Sequence, residues 1–397
     1  MNILIAVPWY KPTIGGVVLY VDKLSRILTD RGYNIKIIVP GDNNKITPVG
    51  QDGSIPIFSY NMRTFFSSNY PIRSLAAFAA YAFPTIIRLR KFIKENEIDL
   101  TLISYPSGYE FYFAILRRLF FYKYLVIVHG SEINLFPKEP WPVRFGINML
   151  IRSADGLVAV SAELLKQART NIKRLPRLSR VIYMGIDEHW KESDCRPYDI
   201  DGKYILTLAW ATPVKGPDIV IKAFEKIKDR FPEVKLVMVG SGPMENELRK
   251  LIADLSLSDR IIRLGTVESS TLPPLFEKAV FGVIPSRQEG FGVVALEFQL
   301  LKKAVVASSA GGIPEFITDN DNGLLVRPDD VETLAEKMSI LLGNPDLCRK
   351  LGERGYQRVM QSFTLSKTGE DYCKMIEEIL YGAPLKNRTT NLSEVNA

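Results

Sequence analysis

The sequence predicts two consecutive α/β domains, each built on a parallel sheet covered by helices on both faces, and three observations carry that prediction. Short β-branched runs alternate with stretches of helical apolar spacing, the pattern of parallel strands joined by crossover helices. The strand-like runs are apolar throughout, as happens when both faces of a sheet are buried. The alternation is interrupted by a polar stretch at residues 191–203 and then begins again, and 397 residues is too long for one core.

Taken in order, "ILIAV" near the start reads as a first strand; it has no charged leader or small-residue cleavage site and is not read as a signal peptide. Residues 17–32 follow as a helix in which Leu24, Ile27 and Leu28 recur every three to four positions. Further strands are expected at 35–39, 99–104, 124–128 and 156–161. The run "LAAFAAYAFPTII", residues 75–87, is shorter than the ~20 residues of a membrane span and contains Pro84. After the polar stretch, "YILTLA", "KLVMVG", "IIRLG", "FGVIPS" and "AVVAS" repeat the strand pattern, and residues 371–380 read as a last helix. The expected organisation is an N-terminal domain over 1–195, a C-terminal domain over 203–362, a closing helix within 363–382, and a disordered polar tail over 383–397.

Composition narrows the chemistry. Cys195, Cys348 and Cys373 lie far apart and have no CxxC spacing, which suggests neither a disulfide framework nor a zinc site and fits a reducing, cytosolic setting. With only His129 and His189, a histidine relay has few residues to draw on. The net charge of +7 suits a polyanion, an anionic membrane surface or an anionic small substrate, and does not choose among them.

Several short stretches can carry chemistry. Gly15-Gly16 precede a helix after the first strand, where backbone amides and a helix N-terminus suit a phosphate, although a steric turn explains the pair equally well. His129, in "VHGSE", ends an apolar strand, the end at which open parallel sheets bind ligands; a lone histidine is also often structural. Lys215, in "TPVKGPDIVIKAF", follows the first strand of the second domain and is either a phosphate cation or a solvated lysine. "GSGP", with Gly242, adds a weaker strand-to-glycine turn. In "PSRQEGFGVVALE", Arg287 and Glu289 sit in a glycine-rich turn and a helix is expected from about Val293, with Glu297 in its second turn. The turn offers amides to a negative group, and Glu297 is costly to bury unless it accepts hydrogen bonds from hydroxyls, as a ribose would provide.

Together these stretches resemble the retaining, nucleotide-sugar-dependent glycosyltransferases of the two-Rossmann-domain GT-B architecture, in particular family 4. The resemblance runs from Gly15-Gly16 through "HGSE", "GID", "KGPDIVIKAF", "VGSGP", "PSRQEGFGVVALE" and "GGIPEFI" to "NGLLVRPDD". Its most specific part is the pair of glutamates eight positions apart with Lys215 upstream. The resemblance implies parallel sheets facing across a cleft, with Gly15, Gly16 and Gly242 near the donor, His129 on the transferred sugar and Lys215 on the diphosphate. Glu289 would hold sugar hydroxyls, amides of Phe291, Gly292 and Val293 would meet sugar and phosphate, and Glu297 would take the ribose. It further implies a carbohydrate acceptor, no metal or other cofactor and no nucleic-acid partner, in a cytoplasmic enzyme. The aromatic and basic stretches at residues 86–94 and 110–124 would suit peripheral contact with the inner face of an anionic membrane and a lipid-linked acceptor, although ordinary buried helices with solvated lysines and arginines explain them equally well. One position departs: Trp210 stands where the family usually has arginine, and Arg287 is the nearby cation counted among the donor-binding residues in its place. An inactive nucleotide-sugar-binding protein and a nucleotide-sugar epimerase of the same form are the alternatives.

Overall fold

The computed structural model describes residues 1–13, 15–63, 75–190 and 200–382; Cys195, most of the expected linker and the expected disordered tail lie outside the described residues. In the N-terminal half the elements are β1 (Asn2–Ala6), α1 (Gly16–Asp30), β2 (Asn34–Pro40), β3 (Thr47–Asp52), β4 (Ile55–Tyr60), α2 (Leu75–Glu95) and β5 (Ile98–Ser104). They continue with α3 (Phe111–Phe120), β6 (Tyr124–Val128), α4 (Ser131–Asn134), α5 (Trp141–Ser153), β7 (Gly156–Ala159), α6 (Ala162–Asn171) and β8 (Leu178–Val181). The C-terminal half holds β9 (Lys203–Leu208), α7 (Pro217–Ile227), β10 (Val234–Val239), α8 (Glu245–Asp254), β11 (Ile261–Gly265), α9 (Leu272–Lys278) and β12 (Gly282–Ile284). It ends with α10 (Val293–Leu300), β13 (Val305–Ser308), β14 (Leu324–Val326), α11 (Val331–Gly343), α12 (Pro345–Ser362) and α13 (Leu365–Tyr381).

These strands form two separate sheets, in the orders β3-β4-β2-β1-β5-β6-β7-β8 and β11-β10-β9-β12-β13-β14. All pairings are parallel except β3 with β4. The uniformly apolar strands are buried on both faces, as their composition requires; every residue of Tyr124–Val128, for instance, is fully buried. Strand order reverses between β1 and β5 and again between β9 and β12. Ligands of open α/β sheets bind beyond the carboxyl ends of strands at such reversals. The right-handed crossover rule places α2, α3 and α5 on one face of the first sheet and α1 on the other.

The final helix crosses back. Gly185 packs against the backbone of Thr364, and Ile186 exchanges backbone bonds with Phe363 and Leu365 at 2.9 and 2.8 Å where the chain returns. α13 then lies along α1, with the Tyr20 and Tyr372 hydroxyls hydrogen-bonded. At its end Lys123 Nζ donates to the carbonyls of Ile379 and Leu380 at 2.8 and 2.9 Å, so a basic side chain satisfies the last turn's orphan acceptors.

Candidate active site

The turn between β12 and α10 is shaped by two glycines. Gly292 adopts φ 100°, which a side chain would strain, and it hands the chain into α10 with Val293 as first helical residue. Gly290 lies so close to the N-terminal domain that a Cβ there would stand 2.0 Å from the His129 carbonyl oxygen. Between them Phe291 is buried against Tyr183, at 5.3 Å between ring centroids, and against Phe316 and Phe363. Its ring is therefore an anchor, and the functional groups the turn offers are main-chain: amides at Gly292 and Val293 that have no acceptor within the helix.

Glu289 and Lys215 meet in this turn. Lys215 Nζ donates to Glu289 Oε1 and Oε2 at 2.8 and 2.7 Å, and Ser286 Oγ adds a bond at 3.1 Å. Lys215 is thus not a freely solvated lysine. Its turn is braced on the same loop, because Gly216 packs on the Pro285 carbonyl and Arg287 N donates to Val214 O at 2.8 Å.

Arg287, counted among the expected donor-binding residues, is engaged by carboxylates of its own domain. Its guanidinium is committed to Asp218 at 2.9 and 2.8 Å, to Asp329 at 2.6 Å and to the Pro213 carbonyl at 2.6 Å. Burial raises the Asp218 carboxyl, but the bonds from Arg287 outweigh it and hold the group below its ordinary value. The fork clamps two turns and α7 together. The Trp210 indole is 52% exposed, which removes it from the domain core.

From the other domain comes His129, at the end of β6. Its Nε2 is 2.8 Å from Ser104 Oγ and its ring meets Tyr20 edge-on at 4.6 Å. Burial pushes the imidazole down to about 3, so it is neutral across the physiological range. Glu132 shapes the loop by accepting the amides of His129 and Gly130, the latter at 3.0 Å. The previous strand ends the same way: Glu110 accepts the amides of Ser107 and Gly108, both at 3.0 Å. Desolvation raises both carboxyls, to about 7 each, against the lowering effect of those amides.

The remaining expected residues lie around the same cleft. Gly15 caps α1, and a Cβ on Gly15 or Gly16 would meet nothing within 4 Å, so the backbone there is open to close approach. Gly242 packs on the backbone of Ala211 and is explained by that contact. Glu297 stands on α10, half-buried, with no hydrogen-bond partner among the described residues. Burial raises its carboxyl, opposed by the charge of Lys23 on α1 across the cleft. The two carboxylates of the opening motif therefore have different surroundings: Glu289 is paired and Glu297 is not.

Sequence reasoning missed Glu110, Glu132, Asp218 and Glu315. The first two had a readable signal, the x-G-x-E pattern repeated as "SGYE" and "HGSE" after adjacent strands. Glu315 accepts the amides of Ala162 and Glu163 at 2.8 and 2.9 Å, so a C-terminal-domain carboxylate caps a helix of the N-terminal domain; no local pattern announces that.

Comparison with known proteins agrees in both halves. Residues 14–190 match the model of Glycosyltransferase Family 4 and residues 191–358 that of Glycosyl transferases group 1. The chain is 28% identical to an uncharacterised glycosyltransferase of Methanocaldococcus jannaschii, over 93% of this chain and 96% of that one. It is 24% identical to the N-acetyl-alpha-D-glucosaminyl L-malate synthase of Bacillus anthracis, over 96% and 98%. Among solved structures, HepE of Anabaena in complex with UDP superposes with a TM-score of 0.76 at 20% identity, covering 95% of this chain and all of the other.

Proposed function

Because this chain belongs to glycosyltransferase family 4 and has the two-domain GT-B fold, we propose that it moves a sugar from a nucleotide-diphosphate donor to an acceptor hydroxyl with the anomeric configuration retained. The observation that carries the reading is the meeting of two domains at one point: Gly290, beside the Lys215–Glu289 pair, packs against the carbonyl of His129. A donor in that cleft would have a cation, helix-end amides and a neutral imidazole around its reacting carbon.

Leaving-group charge grows on the diphosphate, so Lys215 and the amides of Gly292 and Val293 would stabilise the transition state more than the ground state. No metal is required for that, since the growing charge has a cation and oriented amides to meet it. Glu289 would hold sugar hydroxyls, and neutral His129 would hydrogen-bond the sugar without adding charge. Unpaired Glu297 would accept the two ribose hydroxyls, and the open backbone at Gly15-Gly16 would lie against the diphosphate. For the retaining step the reading adopts a front-face path, in which the departing phosphate takes the acceptor proton. The acceptor belongs to glycoconjugate or cell-surface polysaccharide assembly, and the enzyme works at the cytoplasmic side.

A second reading, an inactive nucleotide-sugar-binding protein, is favoured by one observation: with Arg287 clamped to Asp218 and Trp210 at the arginine position, the diphosphate cations are reduced. One experiment separates the two. Nucleotide sugars are screened, uridine donors first because HepE was solved with UDP, and release of nucleoside diphosphate is followed with and without acceptor. Release that depends on acceptor supports the transferase; binding without release under every acceptor tried supports the inactive reading.

A further inference from the structure

We propose that Ser104 is a positioning residue for His129: its buried hydroxyl donates to Nε2, fixes the imidazole proton on Nδ1, and so makes that nitrogen a hydrogen-bond donor toward the cleft. Ser104 is the last residue of β5 and is fully buried, and its Oγ lies 2.8 Å from His129 Nε2. Among the described residues that nitrogen is the only hydrogen-bond partner of the hydroxyl. A hydroxyl proton turned away from it would be buried without an acceptor, which costs the full desolvation of the donor, whereas an idle lone pair on Oγ is tolerated. The proton therefore points at Nε2, which must be bare to accept it. Burial keeps the ring neutral, so its single proton sits on Nδ1.

The surroundings hold the ring in that orientation. Nδ1 has no partner among the described residues and is not one of the polar atoms buried without a partner, so it is the nitrogen left open. Tyr20 meets the ring edge-on from α1 at 4.6 Å, and Tyr105 stacks over it at 6.5 Å with 28° between the planes. Tyr105 adopts φ 61°, a left-handed conformation that a bulky residue enters only under strain. In a continuing strand, consecutive side chains would point to opposite faces. The turn lets the Ser104 hydroxyl and the Tyr105 ring reach the same imidazole. The Tyr105 hydroxyl is bonded in turn to Ser131 Oγ at 2.8 Å. Among the described residues no carboxylate bonds the imidazole, since Glu132 accepts the main-chain amides of His129 and Gly130. An acidic partner would draw the proton to Nε2 and favour the imidazolium; a hydroxyl leaves the ring neutral and turns the other nitrogen into the donor. That Nδ1–H meets an oxygen of a bound sugar donor rests on the proposed transferase reading; the tautomer itself does not.

The test uses the full chain with isotope-labelled histidine in a His189→Gln background, which leaves His129 as the one imidazole observed. Its two-bond nitrogen–proton spectrum should show a protonated Nδ1 and a bare Nε2 in a single tautomer. Ser104→Ala should move the shifts toward the Nε2-protonated form, and Ser104→Thr, which keeps the hydroxyl, should retain the parent pattern. A protonated Nε2 in the parent overturns the proposal whether or not the alanine variant folds, and so does a folded Ser104→Ala whose spectrum is unchanged. In turnover, Ser104→Ala should lower kcat by about three- to tenfold, the worth of one hydrogen bond, with KM for the acceptor unchanged. Added to His129→Gln it should cost nothing further, because the serine acts only through the imidazole. A further loss in the double variant overturns the positioning role. The Nδ1–H tautomer in a protein that releases no nucleoside diphosphate with any acceptor supports the assignment of the proton and sinks the transferase reading alone.

Discussion

Glu132→Gln removes a carboxyl that titrates inside the protein, next to the histidine of the cleft. Glu132 is 6% exposed, and burial lifts it from an ordinary 4.5 to about 7 even though it accepts two backbone amides. Because the folded value lies above the unfolded one, the folded protein binds more protons between them. The stabilisation is complete below about pH 4.5 and is lost as pH rises through about 7. At 1.36 kcal/mol per tenfold, that difference is worth roughly 3 kcal/mol. Glutamine does not titrate and has one carbonyl oxygen for two amides, which adds a pH-independent cost of about 1 kcal/mol. Urea unfolding of both proteins at about pH 4.5 and pH 8 isolates the effect, since Glu110 and His129 titrate in both and cancel in the difference. The stability of the variant relative to the parent should rise by about 3 kcal/mol between those pH values. A difference that does not change with pH would refute the assignment of the raised value to Glu132.

Other outcomes follow from the site. Glu289→Gln should chiefly lower turnover, whereas Glu297→Gln should chiefly weaken binding of the free nucleoside diphosphate; calorimetric titration giving equal affinity losses in both would sink the division of roles. Lys215→Ala should weaken nucleotide binding by roughly tenfold or more, as loss of a charge-assisted contact does. Trp210→Arg should stay folded, because the indole is half-exposed, and should tighten binding; a folded variant that binds no better shows that this position does not reach the diphosphate. Asp218→Ala strips Arg287 of its bidentate partner and should lower unfolding stability by about 2 kcal/mol, visible as a fall in melting temperature.

The legible parts of this molecule are those whose physics is local. Uniformly apolar strands, helical spacing after Gly16 and the break near residue 200 depend on neighbours in sequence, and the two sheets follow from them. The β3–β4 hairpin was not legible because Thr47–Asp52 is mostly exposed and carries no apolar alternation. α2 was read only as an apolar run interrupted by Pro84; in the structure the helix runs through that proline over 21 residues. The carbonyl that loses its helical partner at the proline belongs to Ala80, which is exposed to solvent. In the site, the motif singles out Lys215 and Glu289, but nothing in the spacing says that the two meet, or that Arg287, two residues from Glu289, aims its guanidinium at Asp218. Such a choice depends on a helix 69 positions away in sequence.

The contact between Glu315 and α6 bears on how this chain can be recombined. Ser161 accepts the amide of Leu164 within its own helix, but among the described residues the amides of Ala162 and Glu163 are satisfied only by Glu315, more than 150 residues later. A hybrid made by splicing this N-terminal half to the second half of a relative inherits a helix whose first turn is completed by its guest. Where the guest lacks a carboxylate at that place, the seam fails at the start of α6, far from the splice. Libraries that exchange C-terminal halves should therefore carry the "GGIPE" loop with the N-terminal half it grips.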